Sequence, residues 1–104
     1  DLGFAGRYAQ SSRVHKAIAA LRPGDELMLR IEDGNRDLVA ADGVCVGRLA
    51  RSFEAPADMN CIRGQVAAIV VRTREDSSEE YAGSLRCDTW EVVVPELVFA
   101  PNDR

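Results

Sequence analysis

Residues 23–32 read Pro-Gly-Asp-Glu-Leu-Met-Leu-Arg-Ile-Glu, 33–37 Asp-Gly-Asn-Arg-Asp, 38–41 Leu-Val-Ala-Ala, 42–43 Asp-Gly, and 44–51 Val-Cys-Val-Gly-Arg-Leu-Ala-Arg. Pro23-Gly24 is a turn dipeptide. Leu27, Leu29 and Ile31 alternate with Met28 and Arg30, the period of a strand with one buried face. Asp33-Gly34 and Asp42-Gly43 are short hairpin signals, because glycine tolerates the positive φ of tight turns. Val44 and Val46 flank Cys45, and Gly47 follows where a strand bends or another chain segment comes close. The order is turn, strand, turn, strand, turn, strand, a β-meander with Arg48 and Arg51 at its edge.

On the N-terminal side, Leu2 to Ala9 alternates enough to predict a first strand, with Phe4 and Tyr8 on one side. Ser11 and Ser12 are helix N-cap candidates. Val14, Ala17, Ile18 and Leu21 have the i, i+3, i+4, i+7 spacing of an amphipathic helix that Pro23-Gly24 ends. Arg13, Lys16 and Arg22 fall on its other side, the pattern of a solvated face. On the C-terminal side, residues 51–60 form a connector in which Phe53 is expected to plug one end of the core. Residues 61–72 predict a long strand, apolar on both faces from Val66 to Val71 and therefore central. Residues 74–83 are a charged loop, residues 85–99 a last strand that Pro95 interrupts, and residues 100–104 a tail. The expected core is Leu27, Leu29, Ile31, Val46, Val66, Ile69, Val71, Trp90 and Val92.

Five to six short strands and one helix in 104 residues predict a mainly β, α+β domain, a small SH3-like or OB-like barrel spanning 1–104. That length buries a core without metal or disulfides. Cys45, Cys61 and Cys87 are odd in number and match no metal-ligand spacing, which predicts reduced thiols of a cytoplasmic protein. His15 is the single histidine and makes no metal site alone, and no third residue supports a cysteine–histidine nucleophile. No Gly-rich phosphate loop, GxSxG or HExxH occurs, so the expected catalytic, metal and cofactor sets are empty. No apolar run reaches the roughly 20 residues of a membrane helix.

The net charge of −4 argues against a free-standing non-specific nucleic-acid binder. Yet every basic residue except Lys16 is arginine, the better side chain for bidentate phosphate contacts and base stacking. Tyr8 offers a stacking face, and Arg7, Arg48 and Arg51 offer phosphate contacts. Asn35 and Asp37, read as turn residues, offer polar contacts to a base edge or a terminal sugar hydroxyl. An aspartate facing DNA must accept from a hydroxyl or hold an arginine in place.

Gly6-Arg7-Tyr8, Leu27-x-Leu29-x-x-Glu32, Asn35-x-Asp37 and Val46-Gly47-Arg48-Leu49-x-Arg51 together resemble the HIRAN domain over roughly residues 4–52. That family is a small β-barrel found on helicases and DNA-repair proteins, and its best-understood members bind the 3′ end of single-stranded DNA. The resemblance implies that Arg7 and Tyr8 grip the backbone and stack a base. It likewise implies that Asn35 and Asp37 form the recognition turn and that Arg48 and Arg51 contact phosphate. The turn is one residue shorter than the family's and lacks its tyrosine, with Arg36 nearby; the helix resembles an insertion. Residues 63–74 and Trp90 to Leu97 are similar to the C-terminal region of bacterial RecQ-type ATP-dependent helicases. The resemblances imply a non-catalytic, nucleoid-associated accessory domain of a larger helicase, with a single-stranded DNA end and the rest of the parent helicase as partners. The competing expectation is a structural or protein-interaction barrel docked on the parent's helicase core.

Overall fold

In a computed structural model, residues 1–78 and 82–102 are described. Five strands are present: β1 (Glu26–Glu32), β2 (Asn35–Ala40), β3 (Cys45–Arg48), β4 (Met59–Thr73) and β5 (Thr89–Pro101). One helix, α1 (Arg13–Ala19), precedes them. The strands lie side by side as β3-β2-β1-β4-β5, all antiparallel, in one curled sheet that forms a half-barrel. The expected α+β class with a small barrel-like sheet is therefore present.

The β1–β2 hairpin closes on Asp33-Gly34, with φ of 51° and 78°, so both loop residues are left-handed as a tight I′-type turn requires. The turn is shorter than the sequence implied. Asn35 already pairs with Glu32, so Asn35 and Asp37 lie in β2 rather than in a five-residue loop. β2 and β3 shift register at Val39, leaving Val46 as an extra residue opposite Leu38 and Val39. This bulge seats Val46 in the core, 1% exposed, and brings Gly47 against the Leu38 side chain.

The core fills the concave side. The stripe Val14, Ala17, Ile18 and Leu21 of the helical segment is buried there with Leu27, Leu38, Val46, Val66, Trp90 and Val92. Arg13, Lys16 and Arg22 face solvent. Ser12 sits at the N-cap, but its hydroxyl makes no capping bond. Two expected core residues are instead exposed, Ile31 and Val71. Ile31 lies opposite Arg36, past the point where β4 has diverged from β1; Val71 lies opposite Glu91 on a stretch of β4 that pairs with β5 alone. Leu29 and Ile69 are only partly buried. β4 is not the central strand, which is β1; it lies next to the edge strand β5 and joins β1 only at Glu26–Gln65 and Leu27–Gly64. Its apolar run is consequently not covered on both faces.

The predicted first strand is absent. Residues 1–9 form turns and a 3₁₀ helix, Ala5–Arg7, that plugs the sheet's concave side. The physical reason is tight packing rather than ladder pairing. A Cβ on Gly6 would lie 2.7 Å from the Trp90 indole, Trp90 Nε1 donates to the Leu2 carbonyl at 2.9 Å, and Arg86 N donates to the Gly6 carbonyl at 2.7 Å. Phe4 and Tyr8, four residues apart, pack with ring centroids 5.3 Å apart and planes tilted by 54°.

Phe53 does not plug the core; it is half-buried against Phe99, with ring centroids 6.4 Å apart. β5 starts at Thr89, after buried Leu85 and Cys87, and continues through Pro95 to Pro101. Pro95 is tolerated because β5 is an edge strand and the β4 register shifts beside it, between Val66 and Ala68. Asn102 donates to the Asp58 carbonyl, so the expected tail is anchored as far as residue 102; residues 103 and 104 lie outside the described residues. The expected loop 74–83 opens with a second 3₁₀ turn, Arg74–Asp76, and its residues 79–81 lie outside the described residues. The three cysteines are free thiols. Among the described residues no helix is long and apolar enough to cross a membrane.

Candidate nucleic-acid interface

A cavity of about 630 Å³ opens at the mouth of the half-barrel. Arg7 reaches it from the N-terminal 3₁₀ turn and Asn35 from the start of β2. Arg48 and Arg51 come from the end of β3 and the turn beyond, and Arg72 from the end of β4. Four of the six residues singled out by sequence, Arg7, Asn35, Arg48 and Arg51, thus share one wall system.

Asp37 does not line it. It is 7% exposed, and its carboxylate accepts from Arg48 Nε at 2.8 Å while Arg30 Nη2 lies 3.5 Å away. In the fold it holds Arg48 and Arg30. The hydrogen bond from Arg48 to Asp37 raises the Arg48 pKa above its ordinary value, against a smaller opposing effect of desolvation. Arg48 also lies 5.3 Å above the Phe4 ring, a cation–π contact. The same ring packs against Tyr8, so Phe4 links the two side chains.

Tyr8 is 39% exposed and lies outside the cavity walls. Its backbone is fixed from two sides. Cys87 Sγ donates to the Tyr8 carbonyl at 3.1 Å, and His15 Nε2 lies 3.1 Å from that oxygen and 3.5 Å from the sulfur. The cysteine and histidine that seemed unrelated in sequence therefore meet. Cys87 is 4% exposed, so the thiol serves packing and does not face solvent as a nucleophile would. Burial pushes the Cys45 thiol upward, partly offset by its hydrogen bond to the Gly47 carbonyl.

The far wall was not foreseen. Arg72, Asp76, Ser77 and Ser78 complete it, and Arg74 supports it. The Arg74 guanidinium collects the carbonyls of Ala82, Leu85 and Cys87 at 3.0–3.4 Å and pairs with Asp88 at 3.2 Å. Asp76 closes a capping box, accepting from the Thr73 backbone N–H at 2.8 Å and from its hydroxyl at 3.2 Å. These bonds lower the Asp76 pKa below the usual carboxylate value. The Thr-x-x-Asp spacing of residues 73–76 was the available signal for this turn. Nothing in strand periodicity marks Arg72 as facing a cavity.

Cations outnumber acids on the walls. Arg7, Arg48, Arg51 and Arg72 face Asp1 and Asp76, and Asp1 is paired with Arg7. An anion with several acceptor oxygens fits this charge pattern despite the chain's net charge of −4. Among the described residues no group of three or more His, Cys, Asp and Glu side chains is placed to hold a metal. Comparison with protein-family models, curated proteins and solved structures finds no match to this chain.

Proposed function

We propose that this chain is a non-catalytic DNA-binding domain that takes single-stranded DNA, or its 3′ end, at the mouth of the half-barrel. The observation that carries the reading is the joint placement of Arg7, Asn35, Arg48 and Arg51 on one cavity, with exposed Tyr8 coupled to Arg48 through Phe4. The arginines supply sequence-independent phosphate contacts, and Tyr8 supplies a stacking face. The resemblance to the HIRAN domain adds the 3′-end preference and the role of accessory domain to a helicase. Asp37 departs from the implied role of ligand contact and acts by fixing Arg48.

A fluorescence-anisotropy titration with single strands ending in 3′-hydroxyl, 3′-phosphate or a blocked 3′ end tests the reading. Salt-dependent, saturable binding that favours a free 3′ end supports it. Absence of saturable binding at low ionic strength sinks it.

A second reading, docking on the parent's helicase core, draws on the apolar seam between β1 and β4. Met28 and Ile62 are 63% and 64% exposed there and line one shallow groove with Cys61. Loss of parent-helicase assembly on Ile62→Glu, with strand binding unchanged, would favour that role for this face.

A further inference from the structure

We infer that Arg72 and Arg51, which line the same cavity, form a phosphate subsite that the N-terminal motif residues alone do not complete. The four cavity arginines are not equivalent. Arg7 is paired with the Asp1 carboxylate and Arg48 with Asp37. Arg51 and Arg72 make no ion pair among the described residues. They reach the cavity from different elements, one from the turn after β3 and one from the end of β4.

Arg72 is also held in place, beside the Asp76 carboxylate but without a salt bridge to it. Its Nη2 donates to the Asp76 carbonyl at 2.8 Å, while its buried Nε–H has no acceptor. That Nε is sealed from solvent, so the donors Arg72 can offer the cavity are those of its terminal nitrogens. A guanidinium presents its donors in a fixed fork that suits phosphate oxygens. Ser77 and Ser78 add hydroxyl groups to the same wall. The proposed subsite has one phosphate oxyanion accept from both arginines. The chemistry is shared by a strand phosphodiester, a terminal phosphate and a free phosphate; the strand-borne form rests on the function proposed above.

The test follows arginine Nε–Hε signals by ¹⁵N NMR in the whole chain, titrated separately with pyrophosphate and with a single-stranded decamer. The subsite predicts saturable movement of the Arg72 signal with both probes. It also predicts that Arg72→Gln weakens decamer binding about tenfold and lowers the salt slope by about 0.7, the value for one single-strand phosphate. Arg72→Lys should restore the slope but only part of the affinity. Arg51→Gln, at an exposed turn position, should match Arg72→Gln, and it decides the matter if the latter fails to fold.

If the decamer binds while the Arg72 signal stays still and both glutamine variants behave as wild type, the subsite is wrong and the proposed function stands. If pyrophosphate moves the signal but no strand binds, the subsite stands and the proposed function falls. Silence with both probes overturns both.

Discussion

Asp37 Oδ1 accepts a hydrogen bond from Arg48 Nε at 2.8 Å, across the one register pair that joins the end of β3 to β2. Both side chains leave the same face of the sheet because paired residues share a face. Asp37 is 7% exposed, and its carboxylate is paired by Arg48 and by Arg30 Nη2 at 3.5 Å.

Removing that charge should therefore be felt in stability as well as in binding. Asp37→Ala is expected to cost about 1.5–3 kcal/mol, the scale of a hydrogen bond to a charged group. Urea unfolding of Asp37→Ala, Arg48→Ala and the double variant measures the coupling. A coupling near zero would mean that Asp37 does not orient Arg48.

Gly6→Ala tests the plug. The added methyl meets the buried Trp90 ring at 2.7 Å, closer than carbon atoms approach, and the ring is locked by its bond to the Leu2 carbonyl. Overpacking of this kind costs about 1–3 kcal/mol. Trp90 fluorescence and the unfolding midpoint should shift together.

The core and its rim should respond differently. Ile18→Ala, at a residue 1% exposed, is expected to cost about 2–5 kcal/mol. Val71→Ala, at 70% exposed, should stay within about 0.5 kcal/mol. The two were not separable by hydropathy. Val71 sits in an apolar run like that of any buried strand, and only the short β1–β4 junction leaves it uncovered.

The same contrast explains what could be read before the structure. Hairpin chemistry at Asp33-Gly34 and the stripe Val14, Ala17, Ile18, Leu21 are local signals, and they located β1, β2 and α1. Phe4 and Tyr8 misled, because a period of two and a spacing of four coincide over so short a segment, and the deciding contact is Trp90, distant in sequence. Arg48 and Arg51 were visible beside a strand end. Arg72 was not, since its exposure to the cavity depends on where β4 outruns β1.

Acid should release the Asp76 capping box. Its pKa lies below the ordinary 3.8, so the carboxylate's contribution is complete above that value and is lost as pH falls through the lower folded value. Carboxyl ¹³C titration should place the Asp76 midpoint below 3.8, and Thr73→Val, which removes the hydroxyl bond, should raise it.

On the proposed function, stacking and charge should separate in strand binding. Tyr8→Ala is expected to weaken binding by about 1–3 kcal/mol while leaving the salt slope almost unchanged, since stacking releases few counterions. A slope that falls with Tyr8→Ala would place the ring on the phosphate path instead.

The sheet is two ribbons sewn together by two register pairs, Glu26–Gln65 and Leu27–Gly64, flanked by the backbone bonds Gly24 N to Val66 O and Val66 N to Asp25 O. Each ribbon is built from neighbours in the chain, β1-β2-β3 on one side and β4-β5 on the other. Such hairpins form early at small loop-closure cost, whereas the seam must wait for distant segments to meet. A bulkier residue at Gly64, whose Cβ would stand 2.7 Å from the Leu27 carbonyl, should then hasten unfolding far more than it slows refolding. The chain's lifetime in the folded state is thus expected to depend on a junction two register pairs wide.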